Sequence, residues 1–207
     1  AAIARSLGSA DVVCLIGGPF FEEVWFAQGS AFPPGAAVVQ LESSPQRLSH
    51  NYPVDVGVVG NLKDGLTSLD GALMAAMAQD AKLHANKRNA HLAASKAEER
   101  TNYVSRLERA AARRPMAMSV AMDTLARALP DDVVIVDESI TAGLDLARSF
   151  EFNEPNRYFS GRGGGIGQGL PGAVGVQLAM PSKTVACISG DGSAMYSIQA
   201  LWTAARY

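Results

Sequence analysis

The chain has 207 residues, 48% of them hydrophobic and 18% charged, with a formal net charge of -2. That balance gives ample core material and argues against a partner such as nucleic acid. The two cysteines, Cys14 and Cys187, lie in separate apolar runs with no CxxC pair and no neighbouring His, so they read as buried, inert thiols of a reducing compartment.

No stretch approaches the ~20 consecutive apolar residues that cross a bilayer, and no basic-then-apolar leader opens the chain. The expectation is a cytoplasmic protein with no membrane partner. Lys and Arg gather between Lys82 and Arg114, but Glu98, Glu99 and Glu108 are interleaved there. A solvated helix face accounts for that pattern better than a nucleic-acid patch.

Ala1 to Leu7 reads as the end of a helix. Asp11 to Ile16 (DVVCLI) is a short apolar run punctuated by Gly17-Gly18-Pro19, as expected of a buried parallel strand. A helix over Phe20 to Gln28 follows, then strands at Ala36 to Leu41 and Val54 to Val59. Leu62, Leu66, Leu69, Leu73 and Met77 recur at helical spacing and predict a helix over Leu62 to Leu83. Alternating strands and helices imply an α/β fold with parallel sheets flanked by helices.

Residues 1–83 therefore read as one partial domain. Residues 84–115, rich in Ala, Lys, Arg and Glu, read as an exposed helical connector. Residues 116–207 form a second unit. There Met118, Met122, Leu125 and Leu129 mark a helix, Val133 to Asp137 a buried strand, and Ala142 to Phe150 a helix. A loop through Asn153, Pro155 and Asn156 leads to a Gly-rich stretch, Ser160 to Gly169. A helix near Ala173 to Ala179, a strand Thr184 to Ser189 (TVACIS) and a last helix over Ile198 to Tyr207 complete the chain.

Three segments carry candidate chemistry. TVACIS delivers Gly190-Asp191-Gly192-Ser193 to a strand's carboxyl end, where open parallel sheets bind ligands. Two glycines let an anion approach the backbone closely, and Mg2+ takes a carboxylate together with phosphate oxygens. Asp191 thus suits a metal-diphosphate site, although Asp-Gly after a strand also makes a tight turn. Six glycines between Gly161 and Gly169 permit positive φ and close approach to a flat ligand. The third segment, Ser139-Ile140-Thr141, follows the strand VVIVD; its hydroxyls suit either helix capping or phosphate oxygens. Gly167-x-Gly169-x-x-Gly172 also matches the dinucleotide-binding pattern. That reading fails because no hydrophobic strand precedes Gly167 directly and Pro171 falls where a helix should be starting.

In this order and spacing, the three segments resemble thiamine-diphosphate-dependent enzymes of the acetolactate synthase and benzoylformate decarboxylase type. Gly161 to Tyr207 resembles the opening of that family's diphosphate-binding domain. DVVCLIGGPFF, VVQLESSP and NYPVDVGVVGNL resemble its middle domain in style. The resemblance implies thiamine diphosphate and Mg2+ as cofactors, with Asp191 as a Mg2+ ligand. Gly190, Gly192 and Ser193 match contacts to the diphosphate, as do Ser139, Ile140 and Thr141. Gly164, with Gly165, matches the position whose carbonyl meets the aminopyrimidine, and Ile166 matches the apolar wedge that bends the cofactor. Gly164 and Ile166 are the residues of this chain placed closest to catalysis.

The resemblance also implies a small 2-oxo acid substrate, decarboxylation with or without carboligation, and a homodimer or homotetramer. Three departures stand beside it. The family's motif closes with an Asn further along than this chain runs. Its catalytic Glu belongs to a preceding domain. Where benzoylformate decarboxylases carry an active-site His, ungapped comparison places Val24; the nearest His, His50, falls in an apparent surface turn. The chain is then a fragment, inactive alone. The competing expectation is a binding or regulatory domain that keeps the fold without catalysis.

Overall fold

The computed structural model describes residues 7–8, 10–18, 28–161 and 164–207. The helix expected over Phe20 to Gln28, apart from Gln28, and the one ending at Leu7, apart from Leu7 itself, fall outside that set, as do Val24 and Gly163. The chain divides into two units, Ala1–Ala90 and His91–Tyr207.

In the first unit, strands β1 (Val12–Ile16), β2 (Ala37–Glu42) and β3 (Val56–Val59) pair in parallel in that order. Val13 is level with Val38, and Leu41 with Val58. One face is the core: Val13, Leu15, Phe32 and Val38 are buried together. The other face leaves Val12 and Ile16 exposed. Cys14 lies on that face too, and it is exposed. This corrects the expectation of a buried thiol: an unbroken apolar run suggested a strand covered on both faces, but β1 alternates.

Helix α1 (Leu62–Ala76) begins at Asn61, whose Oδ1 accepts from the Lys63 and Asp64 amides at 2.9 and 3.2 Å. That cap satisfies two amides that no helical carbonyl can reach. The apolar spacing predicted one helix to Leu83, but the chain turns extended at Met77 (ψ 112°) and a new helix, α2 (Gln79–Ala110), begins. The apolar period runs across this break because no Gly or Pro marks it. Only Tyr103 of α2 is buried, as suits an exposed charged helix.

The second unit continues with α3 (Met118–Ala128), β4 (Val134–Glu138), α4 (Gly143–Ser149), β5 (Tyr158–Ser160), α5 (Gly169–Ala179), β6 (Val185–Ser189), α6 (Asp191–Met195) and α7 (Ala200–Arg206). The parallel sheet has the order β5-β4-β6. Central β4 is the most deeply buried strand, with Val134 and Ile135 at 0% exposure, as a run of β-branched residues covered on both faces should be. Met122, Val133, Ile135, Ala142 and Leu146 form the core. The loop expected after Pro155 hides the short strand β5. Its three residues are too few for a period-2 signal, and pairing with Ile135 to Asp137 makes it a strand.

Pro171 falls in the first turn of α5, not before it. A proline there displaces no helical hydrogen bond, so it was no argument against a dinucleotide motif. The strand argument holds: β5 ends at Ser160, well before Gly167.

Candidate cofactor site

Parallel register sets the site. Glu138 at the end of β4 lies level with Ser189 at the end of β6, so the chain leaves both strands at one carboxyl edge. Gly190 then turns the chain at φ -67°, ψ 150°, and Asp191 is the first residue of α6. The Asp-Gly pair therefore opens a helical turn rather than a hairpin-like one. Asp191 is exposed. Its Oδ1 accepts from the Gly192 amide at 2.8 Å, and Oδ2 has no partner among the described residues.

The Gly-rich turn is fastened to this edge by a residue that sequence reasoning passed over. The Glu138 carboxylate accepts from the Gly167 amide, from Gln168 at 3.2 Å and Gly169 at 2.8 Å, and from the Ser189 hydroxyl at 3.3 Å. It satisfies amides at the start of α5 while holding β6 level with β4. Burial raises its pKa, but the donors from Gly169, Gly167, Gln168 and Ser189 outweigh that and hold the carboxyl below its usual value. Glu138 is therefore an anion that the fold requires.

Gly167 carries φ +91°, and an added Cβ would stand 2.7 Å from the Tyr196 Cβ. Ser197 donates to the Gly167 carbonyl at 2.6 Å. The turn is thus pinned both to β4 and to the segment after Asp191. At Gly164, with φ +68°, and at Gly165 and Gly192, nothing among the described residues lies within 4 Å of where a Cβ would stand. These backbones are open to a close-fitting ligand. Between them Ile166 is 60% exposed, an apolar side chain held on a fixed turn with no core of its own.

The third segment departs in part from expectation. Ile140 is 93% exposed and Thr141 is exposed. Helix α4 has Ala142 at its N-cap and no side-chain cap, so neither hydroxyl of this segment is used as a cap. Ser139, however, turns its Oγ inward, buried and without a partner among the described residues. Its amide instead donates to the Asp137 Oδ1 at 2.8 Å. The other Asp137 oxygen accepts from the Tyr158 hydroxyl at 2.7 Å; burial and this carboxylate push the Tyr158 pKa up. Cys187, half-buried beneath the turn, is raised by burial and by the Glu138 and Asp137 carboxylates, which keeps it an unreactive thiol.

The residues present fit a metal-bound diphosphate. Among the described residues no group of three His, Cys, Asp or Glu could encage a metal ion. One free carboxylate oxygen on Asp191 beside open glycine backbone is what Mg2+ needs when phosphate oxygens and water complete its shell.

The family model described as "Thiamine pyrophosphate enzyme, C-terminal TPP binding domain" matches residues 141–207. Benzoylformate decarboxylase of Pseudomonas aeruginosa is 34% identical over an alignment covering 100% of this chain and 35% of that protein. Acetolactate synthase isozyme 3 large subunit of Escherichia coli is 26% identical over 98% of this chain and 34% of that protein. A solved structure from Mycobacterium smegmatis, described as a thiamin diphosphate-dependent enzyme, superposes with a TM-score of 0.72 at 26% identity over 98% of this chain and 37% of that one. The chain spans about a third of the length of the relatives it matches. With the Gly-rich turn and the Gly-Asp-Gly strand end joined at one edge, the chain belongs to the thiamine-diphosphate-dependent enzymes of the acetolactate synthase and benzoylformate decarboxylase type.

Proposed function

We propose that this chain is part of a longer, homo-oligomeric, cytoplasmic enzyme that uses thiamine diphosphate and Mg2+ to decarboxylate small 2-oxo acids, with or without joining the product to a second carbonyl. The observation that supports this most is the fastening of the Gly-rich turn and the Asp191 segment to one strand edge through Glu138. When bound, the cofactor supplies a carbon nucleophile and an electron sink for the departing CO2.

The work of this chain's residues is anchoring and orientation. Asp191 offers its free oxygen to Mg2+. Gly192, whose backbone is unobstructed, and Ser193 receive the diphosphate, with Ile140 and Thr141 on the neighbouring strand end. Gly164 and Gly165 offer backbone to the cofactor's flat ring, and Ile166 presses against it. Glu138 stays ionised and keeps the turn in place without touching the ligand.

Assays of the intact protein with thiamine diphosphate, Mg2+ and a panel of 2-oxo acids test the proposal. CO2 release that depends on both cofactors is expected. Cofactor binding without CO2 release from any 2-oxo acid would favour a non-catalytic domain that retains the fold.

A further inference from the structure

Away from the strand edge, a groove of about 930 Å³ opens between α2 and the end of α4, wholly within the second unit. Five cationic side chains line it, Lys96, Arg100, Arg106 and Arg109 from α2 and Arg148 from α4, against two carboxylates, Glu99 and Glu151. Lys96 and Arg100 are four residues apart and Arg106 and Arg109 three, so each pair is adjacent on the helix surface, with Tyr103 between the pairs.

Two of the five are already committed. Arg100 donates to the Arg148 carbonyl at 2.9 Å, closing the end of α4. Arg148 pairs with Asp145 at 3.6 Å. Lys96, Arg106 and Arg109 have no ion pair among the described residues.

The floor is aromatic. Tyr103 is buried, its hydroxyl 2.9 Å from the Ser149 Oγ, and the guanidinium groups of Arg100 and Arg106 stand 5.9 and 5.8 Å from its ring centre. Phe152 is half-buried, and the amides of Asn102 and Asn153 complete the lining.

We propose that this groove binds a nucleoside polyphosphate. Unpaired arginines suit phosphate because the guanidinium fork matches two phosphate oxygens at once. The cations run from Lys96 to Arg109, about 20 Å along a helix. One small anion cannot span that length, and the groove's volume sits near the top of the range for small-molecule sites, roughly 300–1000 Å³. Phe152 lines the groove as part of an aromatic cluster, stacked on Phe150 at 6.1 Å and tilted against Tyr158 at 4.9 Å, which a heterocycle would extend. The Asn102 amide offers a donor and an acceptor to its edge, and Asn153, whose NH2 donates to Glu151 at 3.4 Å, keeps its carbonyl as an acceptor. The site lies on different elements from the Asp191 edge and does not depend on the cofactor assignment.

The test titrates the intact protein, saturated with thiamine diphosphate and Mg2+ so that the diphosphate site is filled, with ATP, inorganic tripolyphosphate and adenosine by calorimetry. ATP should bind more tightly than either of the others. The exposed double variant Arg106→Glu/Arg109→Glu should weaken ATP at least tenfold while leaving thiamine diphosphate affinity and the circular dichroism spectrum unchanged. Lys96→Glu should weaken it less. Absence of ATP binding, unchanged ATP affinity in the double variant, or tripolyphosphate binding as tightly as ATP would each overturn the proposal.

Discussion

Replacing Glu138 by Gln probes how the site is assembled with the smallest change of shape. The carboxylate accepts on both oxygens: Oε1 from Gly167 and Gln168, Oε2 from Gly169 and Ser189. A Gln in the same place must turn its NH2 toward one of these sets. Its least costly placement gives up Oε2: Ser189 can reverse its hydroxyl, but the Gly169 amide faces a donor. One charge-assisted hydrogen bond is lost and the others lose their charge, a cost of about 2–3 kcal/mol. That corresponds to a roughly 30- to 150-fold shift in the opening equilibrium of the turn. Amide hydrogen exchange of segment 164–170 should accelerate by that factor at neutral pH, and thiamine diphosphate affinity of the intact protein should fall at least tenfold.

The pH dependence follows from the lowered carboxyl. A folded-state pKa below the ordinary 4.5 means the stabilisation is fully present above about pH 4.5 and is lost as pH falls through the lowered value. The difference between the native protein and the Gln variant should therefore be constant from neutral pH down to that point and shrink below it. Equal exchange rates at pH 7, or a difference undiminished at about pH 3, would refute the fastening role of Glu138.

Gly167→Ala should destabilise by roughly 2–4 kcal/mol, since it combines a strained φ of +91° with a Cβ 2.7 Å from that of Tyr196; thermal unfolding checks it, and an unchanged midpoint would show that the turn relaxes freely. Asp191→Ala should leave the fold intact and abolish Mg2+-dependent cofactor binding in calorimetry. Ile166→Ala should lose turnover while Ile166→Leu and Ile166→Met retain it. Because Ile166 is 60% exposed, none of the three should change stability by more than about 0.5 kcal/mol, so kinetics and unfolding measured together isolate contact with the cofactor. On the proposed function, the intact protein should turn over benzoylformate weakly and prefer another 2-oxo acid, and His50→Ala should leave that preference unaltered, since His50 is exposed; efficient benzoylformate turnover lost with His50 would reverse this.

Much of the fold was legible because it depends on near neighbours in the chain. VVCLI, VVIVD and TVACIS are apolar runs of strand length and became β1, β4 and β6 within a residue or two. Gly190-Asp191-Gly192 was legible because a carboxylate between glycines at a strand end is a local pattern. Glu138 was in view beside Asp137, yet nothing near it in sequence indicates its role. Its partners lie 29 to 51 residues away and meet it only once β4 and β6 align and the Gly-rich turn folds over their ends. The same holds for β5, which is a strand only because Tyr158 to Ser160 find β4. The exposure of Cys14 and the inward turn of Ser139 were likewise decided by packing: an apolar run cannot say which faces of its sheet are covered, and a Ser cannot say which way its hydroxyl points. The amino-acid sequence by itself marked the apolar strand runs and the residues proposed to hold a diphosphate; the tertiary structure alone decided that β5 is a strand and which segments share an edge, because that depends on register between strands far apart in the chain.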